Sequence, residues 1–283
     1  MNTKNEIAAF KPVKEFFVGI DSDGTAFDSM NIKHIKSMCP AAMEIWNIGE
    51  FRALFEKIWN RINLYSKKRG INRFPGLLAA FDALCENAAD ASVPDASALR
   101  DFVEKSEALS NAALQSWMKK HPSPFLDDVM RWSIRSDELF EEHTRGLLPF
   151  ANVEAALCLM AEKADIMVVS SASGKGLDKD WSFSGLNKYT ALIAGQETGS
   201  KNAQLQMGAG GKYPPQKILM IGDAPGDLEA ARAINALFFP VTPGAEEESW
   251  LRLCEEALPR FFARTFHGEY EDALVKKFLD FLE

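Results

Sequence analysis

Two aspartates two residues apart, Asp21 and Asp23, follow the apolar run Phe16-Phe17-Val18-Gly19-Ile20 and lead into Gly24 and Thr25. On a strand that continues, positions i and i+2 point to one face. The two carboxylates then repel unless a cation sits between them or one holds a proton. The first state is a divalent-metal site. The second sets one carboxylate as nucleophile beside another as general acid. A polar turn ending a strand is the plainer alternative, because Asp and Gly serve turns well. A second pair, Asp223 and Asp227, brackets Ala224-Pro225-Gly226 after another apolar run, 218–221. Oxygen-only ligands of this kind suit Mg²⁺, although Asp227 alone would also suit the first turn of a helix. Ser170 and Ser171 close a third apolar run, 166–169. A hydroxyl there can hold a phosphate oxygen together with the backbone N–H groups of the Ser-Ala-Ser-Gly turn, or simply cap a helix. Lys201 follows Gly199-Ser200 at a helix start, with Ser200 as cap. A cation there opposes the helix dipole, and an anion held beside it resolves the conflict; a solvated lysine is the alternative.

The elements that position these residues read as follows. The runs at 16–20, 166–169, 218–221 and 237–241 are short, apolar and without helical period, as expected of strands buried on both faces of a parallel sheet. Residues 191–194 form a weaker candidate. Helical stretches at 153–163 (with Asn152 as cap), 201–206 and 227–234 alternate with them, predicting a doubly wound α/β parallel sheet. Ligands of such sheets sit at the carboxyl ends of the strands; each of the residues above falls at the end of a predicted strand or the start of a helix. Between 28 and 146 no strand is visible. Amphipathic helices are predicted at 29–38, 50–68, 74–87, 97–119 (whole or broken into two), 125–133 and 137–144. The clearest carries Phe51, Leu54, Phe55, Ile58, Ile62 and Tyr65 on one stripe. Trp46 and Trp59 belong to its core. The expected division is a core of 1–27 with 147–283, interrupted by an all-helical domain of 28–146.

The 283 residues carry a net charge of −8, which argues against electrostatic attachment to nucleic acid or anionic lipid. Cys39, Cys85, Cys158 and Cys254 are scattered, predicting reduced, buried thiols rather than disulfides or a zinc site. No apolar signal core or membrane-length run is visible, so a cytoplasmic location is expected.

Asp21-Ser-Asp-Gly-Thr25 after an apolar strand, with Phe27-Asp28 beyond, resembles the first motif of the haloacid dehalogenase (HAD) superfamily. Ser170, Lys201 and Gly222-Asp223-Ala-Pro-Gly-Asp227 match motifs II, III and IV in order, with Ser171 as the alternative register for motif II. The resemblance covers 14–27 and 147–243. It departs at Asn202, where the family often has proline. The insert between motifs I and II is similar to the helical (C1) cap of phosphoglycolate phosphatases and β-phosphoglucomutases. The resemblance implies a Mg²⁺-dependent phosphatase acting on a small phosphorylated metabolite. Asp21 is the implied nucleophile and Asp23 the general acid and base. Ser170 and Lys201 are implied to hold phosphoryl charge. Mg²⁺ would be held by Asp21, the Asp23 backbone carbonyl, Asp227 and, directly or through water, Asp223. Halide displacement and phosphonate cleavage are disfavoured, because their first motifs lack the second aspartate. A phosphomutase would use the same four motifs, and a non-catalytic binding protein could keep the fold.

Within the insert, the basic stretch Tyr65–Pro75 is unusual in an acidic chain. Lys67, Arg69 and Arg73 are candidate substrate contacts, since arginine's planar donors suit anions; a cationic helix end is the alternative. His34 is a further candidate. The glycine-rich stretches at 173–176 and 208–213 lack the spacing of phosphate loops and read as turns. Glu141-Glu142-His143 reads as a solvated helix face, and Glu246-Glu247-Glu248 as a helix start.

Overall fold

A computed structural model of the chain describes residues 2–88, 90–91 and 93–282. The chain divides into two compact units, Met1–Ser29 with Gly146–Glu283, and Met30–Arg145.

The first unit is built on five parallel strands, β1 (Phe16–Ile20), β2 (Ala164–Val169), β3 (Leu192–Ala194), β4 (Ile218–Gly222) and β5 (Leu237–Pro240), in the order β3-β2-β1-β4-β5. β1 is central. Ile20 pairs with Val168 on one side and Ile221 on the other, so the residues after these three strands emerge side by side. The order turns outward in opposite directions from β1 and β4, which opens a crevice at their carboxyl ends.

Alternation along the strands feeds two cores. Phe16, Val18, Ile20, Ile166, Val168, Leu219, Ile221 and Phe239 face one side, where helices Val153–Lys163 and Gly174–Phe183 cover them with Leu157, Met160, Leu177 and Trp181. Phe17, Met167, Val169, Met220 and Phe238 face the other, under Ile7, Leu205, Ala231 and Phe278. Both faces are therefore apolar, and the strands show no polar alternation.

Several expectations need correction. Asn152 precedes its helix but does not cap it through its side chain; its backbone is left-handed at φ 68°. The stretch at 173–176 is a helix start, not a free turn: the Ser173 hydroxyl accepts from Gly176 N, and the Glu197 carboxylate accepts from Gly174 N. Of the cysteines, Cys39 is buried, Cys254 half-buried, and Cys85 and Cys158 are exposed.

Among its described residues the second unit holds helices joined by turns and loops, and no strand. Its first helix runs Ser29–Ile45 with a π-helical stretch at Ile32–Met38. Phe55, Trp59, Phe74, Phe81, Phe102 and Trp132 form its core, and Trp46 packs edge-on against Phe81. The predicted segment 97–119 is two helices, Ser97–Lys105 and Asn111–Met118. The segments 125–133 and 137–144 are one helix, Pro124–His143. Ser133 and Ser136 look like a break in sequence, but the Ser136 hydroxyl donates back to the Trp132 carbonyl at 2.7 Å and Ser133 donates to Asn111 at 2.6 Å. Serines whose hydroxyls find partners this way do not interrupt the helix.

Candidate active site

The loop after β1 is a compact turn. Gly24 has φ 76°, a conformation that favours glycine, and its N–H donates to the Phe27 carbonyl at 2.8 Å. The Ser22 carbonyl accepts from Ala26 N and Phe27 N. Asp21 begins the loop fully inside the fold, 4% exposed. Its N–H is still paired with Ile221 at 2.9 Å, and its Oδ1 accepts from Ser22 N at 2.8 Å.

Two indoles pin this loop from the flanking helices. Trp181 Nε1 donates to Ser22 Oγ at 3.0 Å and Trp250 Nε1 donates to the Thr25 carbonyl at 2.8 Å. Thr25 Oγ1 donates to Asp223 Oδ1 at 2.5 Å, tying the β1 loop to the β4 loop. Sequence reading missed these partners because they lie far away along the chain and carry no local signal.

Asp21, Asp223 and Asp227 form a buried carboxylate cluster, with one ligand oxygen from each lying within 4.8 Å of the others. Asp227 sits in the first turn of helix Pro225–Ala233, and its Oδ2 accepts from Ala224 N at 3.1 Å. Gly222 lets it in, because a Cβ there would lie 2.4 Å from the Asp227 side chain. Lys201, the first residue of helix Lys201–Gly208, reaches this cluster. Its ammonium lies 2.7 Å from Asp21 Oδ2 and 2.6 Å from Asp227 Oδ1. Ser200 caps that helix, accepting from Ala203 N.

The electrostatics follow from burial. Burial raises the Asp21 carboxyl well above its ordinary range; Lys201 opposes the rise, and Asp227 and Asp223 add to it. Burial raises Asp227 likewise, with Lys201 opposing and Asp223 adding. Burial disfavours the Lys201 ammonium, yet Asp21 and Asp227 outweigh it and hold its pKa above the usual lysine range. Three buried carboxylates and the Lys201 ammonium share this space. A hard, oxygen-only donor set of this kind fits Mg²⁺, and Asp21, Asp223 and Asp227 are the side chains that would hold it.

Asp23 is half-buried and its carboxylate lies outside that cluster. It accepts from Ser29 Oγ at 2.5 Å. Asp180, on helix Gly174–Phe183, is raised by burial and by the charge of Asp23. Ser170 is 1% exposed and its Oγ accepts from Ala172 N at 3.1 Å, whereas Ser171 is exposed. The β2 terminus therefore brings Ser170 inward and leaves Ser171 at the surface.

The candidates in the helical unit fare differently. The Arg73 guanidinium pairs with Asp137 at 2.7 Å and donates to Ser133 Oγ at 2.8 Å. Arg69 is buried and donates to the Leu64 carbonyl at 2.9 Å. Lys67 is exposed. His34 is buried in the π-helical stretch, its ring 6.1 Å from that of Trp59. Glu141, Glu142 and His143 are exposed along their helix.

No protein-family model and no curated protein sequence matches the chain. Solved structures do. A predicted phosphoglycolate phosphatase from Haemophilus somnus is 16% identical with a TM-score of 0.52, covering 82% of this chain and 88% of that one. A hydrolase from Pseudomonas syringae is 16% identical with a TM-score of 0.48, over 83% and 90%. A HAD-superfamily hydrolase of subfamily IA from Geobacter sulfurreducens is 14% identical with a TM-score of 0.41, over 81% and 88%. The α/β parallel-sheet fold is shared with the Haemophilus somnus structure, and in this chain the acidic residues Asp21, Asp223 and Asp227 gather beyond the ends of β1 and β4. Among the described residues, no helix is long and apolar enough to cross a membrane.

Proposed function

We propose that the chain is a Mg²⁺-dependent phosphatase that hydrolyses a small phosphorylated metabolite through an aspartyl-phosphate on Asp21. The observation that carries this reading is the buried cluster itself. Lys201 bridges Asp21 and Asp227, and Asp223 brings a third carboxylate oxygen into the same space, a donor set that suits a divalent cation. An arrangement so costly to desolvate is retained where its charge is used.

One carboxylate oxygen of Asp21 attacks phosphorus, and the bond to the leaving oxygen breaks. Asp23 gives its proton to that oxygen. As a carboxylate, Asp23 then takes a proton from the water that attacks the aspartyl-phosphate, releasing phosphate and restoring Asp21. The Lys201 ammonium and the Ser170 hydroxyl hold charge on the phosphoryl oxygens. Mg²⁺, when bound, supplies the remaining neutralisation of the phosphoryl group. The Asp21 Oδ1 bond to Ser22 N and the Oδ2 pair with Lys201 fix the direction of the carboxylate, which favours in-line attack. The activity named for the Haemophilus somnus neighbour belongs to this reaction class.

The test is phosphate release from a panel of phosphorylated metabolites, with and without Mg²⁺, beside Asp21→Asn. Metal-dependent release lost in the variant supports the reading. Conversion of a sugar phosphate to its isomer with little free phosphate would replace it with a mutase.

A further inference from the structure

Gln204 is wholly buried in the helix that Lys201 begins. Its amide is saturated by backbone alone. Oε1 accepts from Ser170 N at 3.0 Å. Nε2 faces three carbonyls at 2.9 Å each, those of Ser170, Gly195 and Gly199. With an N–H opposite the oxygen and only carbonyls opposite the nitrogen, the amide has one orientation.

These partners are the segments that carry the phosphoryl-binding groups. Ser170 ends β2. Gly195 follows β3 and opens the short helical turn Gln196–Thr198. Gly199 has φ 114° and directly precedes Ser200 and Lys201. One side chain therefore joins the end of β2 to the loop that aims Lys201, from a position three residues past that lysine. The sequence has Asn202 where the resembled motif often has proline, so the rigidity of the Lys201 segment must come from elsewhere.

We infer that Gln204 is the positioning residue that sets Lys201 and Ser170 in register with Asp21. The inference rests on the phosphatase reading for its kinetic consequence, but its structural content stands alone. A neutral amide here meets four backbone groups, its two N–H donors shared among three carbonyls, without adding charge to a site already rich in carboxylates. Methionine has a similar length and no such hydrogen-bonding groups. Asparagine is one methylene shorter and cannot span the same partners. Glutamate has the right length but, when ionised, sets a carboxylate against three carbonyls.

The experiment compares the parent protein with Gln204→Met, Gln204→Glu and, as a control on the exposed face of the same helix, Asn202→Ala. With p-nitrophenyl phosphate and Mg²⁺, Gln204→Met is expected to lower kcat by about 10- to 100-fold, the scale on which misplacement of about 1 Å acts, and to leave KM within about threefold. Inhibition by orthovanadate, which mimics the five-coordinate phosphorus, should weaken by the same factor as kcat. Gln204→Glu should recover activity relative to the parent as pH falls and its carboxyl protonates. Asn202→Ala should match the parent. Hydrogen–deuterium exchange gives a second readout that needs no turnover. In Gln204→Met the segments 170–174 and 195–201 should exchange faster, with β4 unchanged. Unaltered exchange there, or kcat and vanadate inhibition equal to the parent, overturns the inference. A parent that never releases phosphate would overturn the phosphatase reading, while the exchange data would still decide the role of Gln204. If Gln204→Met does not fold, the pH dependence of Gln204→Glu decides it: a ratio to the parent that does not change with pH overturns the inference.

Discussion

The ammonium of Lys201 stands 2.7 Å from Asp21 Oδ2, with side-chain exposures of 15% and 6%. Neither would be stable there alone: burial raises Asp21 and disfavours Lys201, and each offsets part of the other's cost. Asp223 and Asp227 add negative charge to the same space.

A pH dependence follows. Asp21 and Asp227 have folded pKa values raised above the ordinary 3.8. The metal-free folded state thus binds more protons than the unfolded chain, and stability falls as pH rises from about 3.8 through the raised values. Lys201 stays charged across that window. Saturating Mg²⁺ should therefore raise Tm more at pH 8 than at pH 5, where protons compete with it. Equal shifts at the two pH values would contradict the clustering of charge.

Gly222 is required by the approach of Asp227, not by its own backbone angle. Gly222→Ala places a Cβ 2.4 Å from that side chain. We expect a loss of about 1–3 kcal/mol from overpacking and a drop in Mg²⁺ affinity, measured by denaturation and calorimetry. A variant with the parent's metal affinity would show that Asp227 does not depend on this contact.

Trp181 and Ser22 form a buried hydrogen bond between a helix and the β1 loop. Trp181→Phe and Ser22→Ala should couple by about 1 kcal/mol in a double-mutant cycle of unfolding free energies. Additive effects would remove the bond from the account.

Much of the core was legible. β1, β2, β4 and β5 are apolar runs with abrupt polar ends; Asp21, Ser170 and Asp223 directly follow β1, β2 and β4, and Lys201 and Asp227 lie in the first turns of the helices beyond β3 and β4. What was hidden depends on tertiary contacts. Helix Gly174–Phe183 opens with two glycines and charged residues, and its stability comes from buried Leu177 and Trp181 and from the distant Glu197. Gln204 reads as an ordinary helix surface residue until β2 and the loop before Lys201 enclose it. Arg73 offered a plausible anion contact in sequence, but Asp137 lies beyond the reach of local pattern.

Arg73→Ala separates a structural role for that residue from a substrate contact. The ion pair is half-exposed, with side chains 24% and 50% accessible, so its removal together with the Ser133 bond should cost about 1–2 kcal/mol. Thermal unfolding should register this while kcat/KM changes by less than about threefold. A tenfold fall in kcat/KM at unchanged Tm would return Arg73 to the substrate.

The most direct measurement is borohydride trapping during turnover, followed by mass spectrometry of the peptide that contains position 21. Reduction of an aspartyl-phosphate gives homoserine. Homoserine is expected at position 21 only when substrate and Mg²⁺ are both present, with turnover lost in Asp21→Asn. Phosphate release that persists in Asp21→Asn, with no modified peptide in the parent, would contradict it.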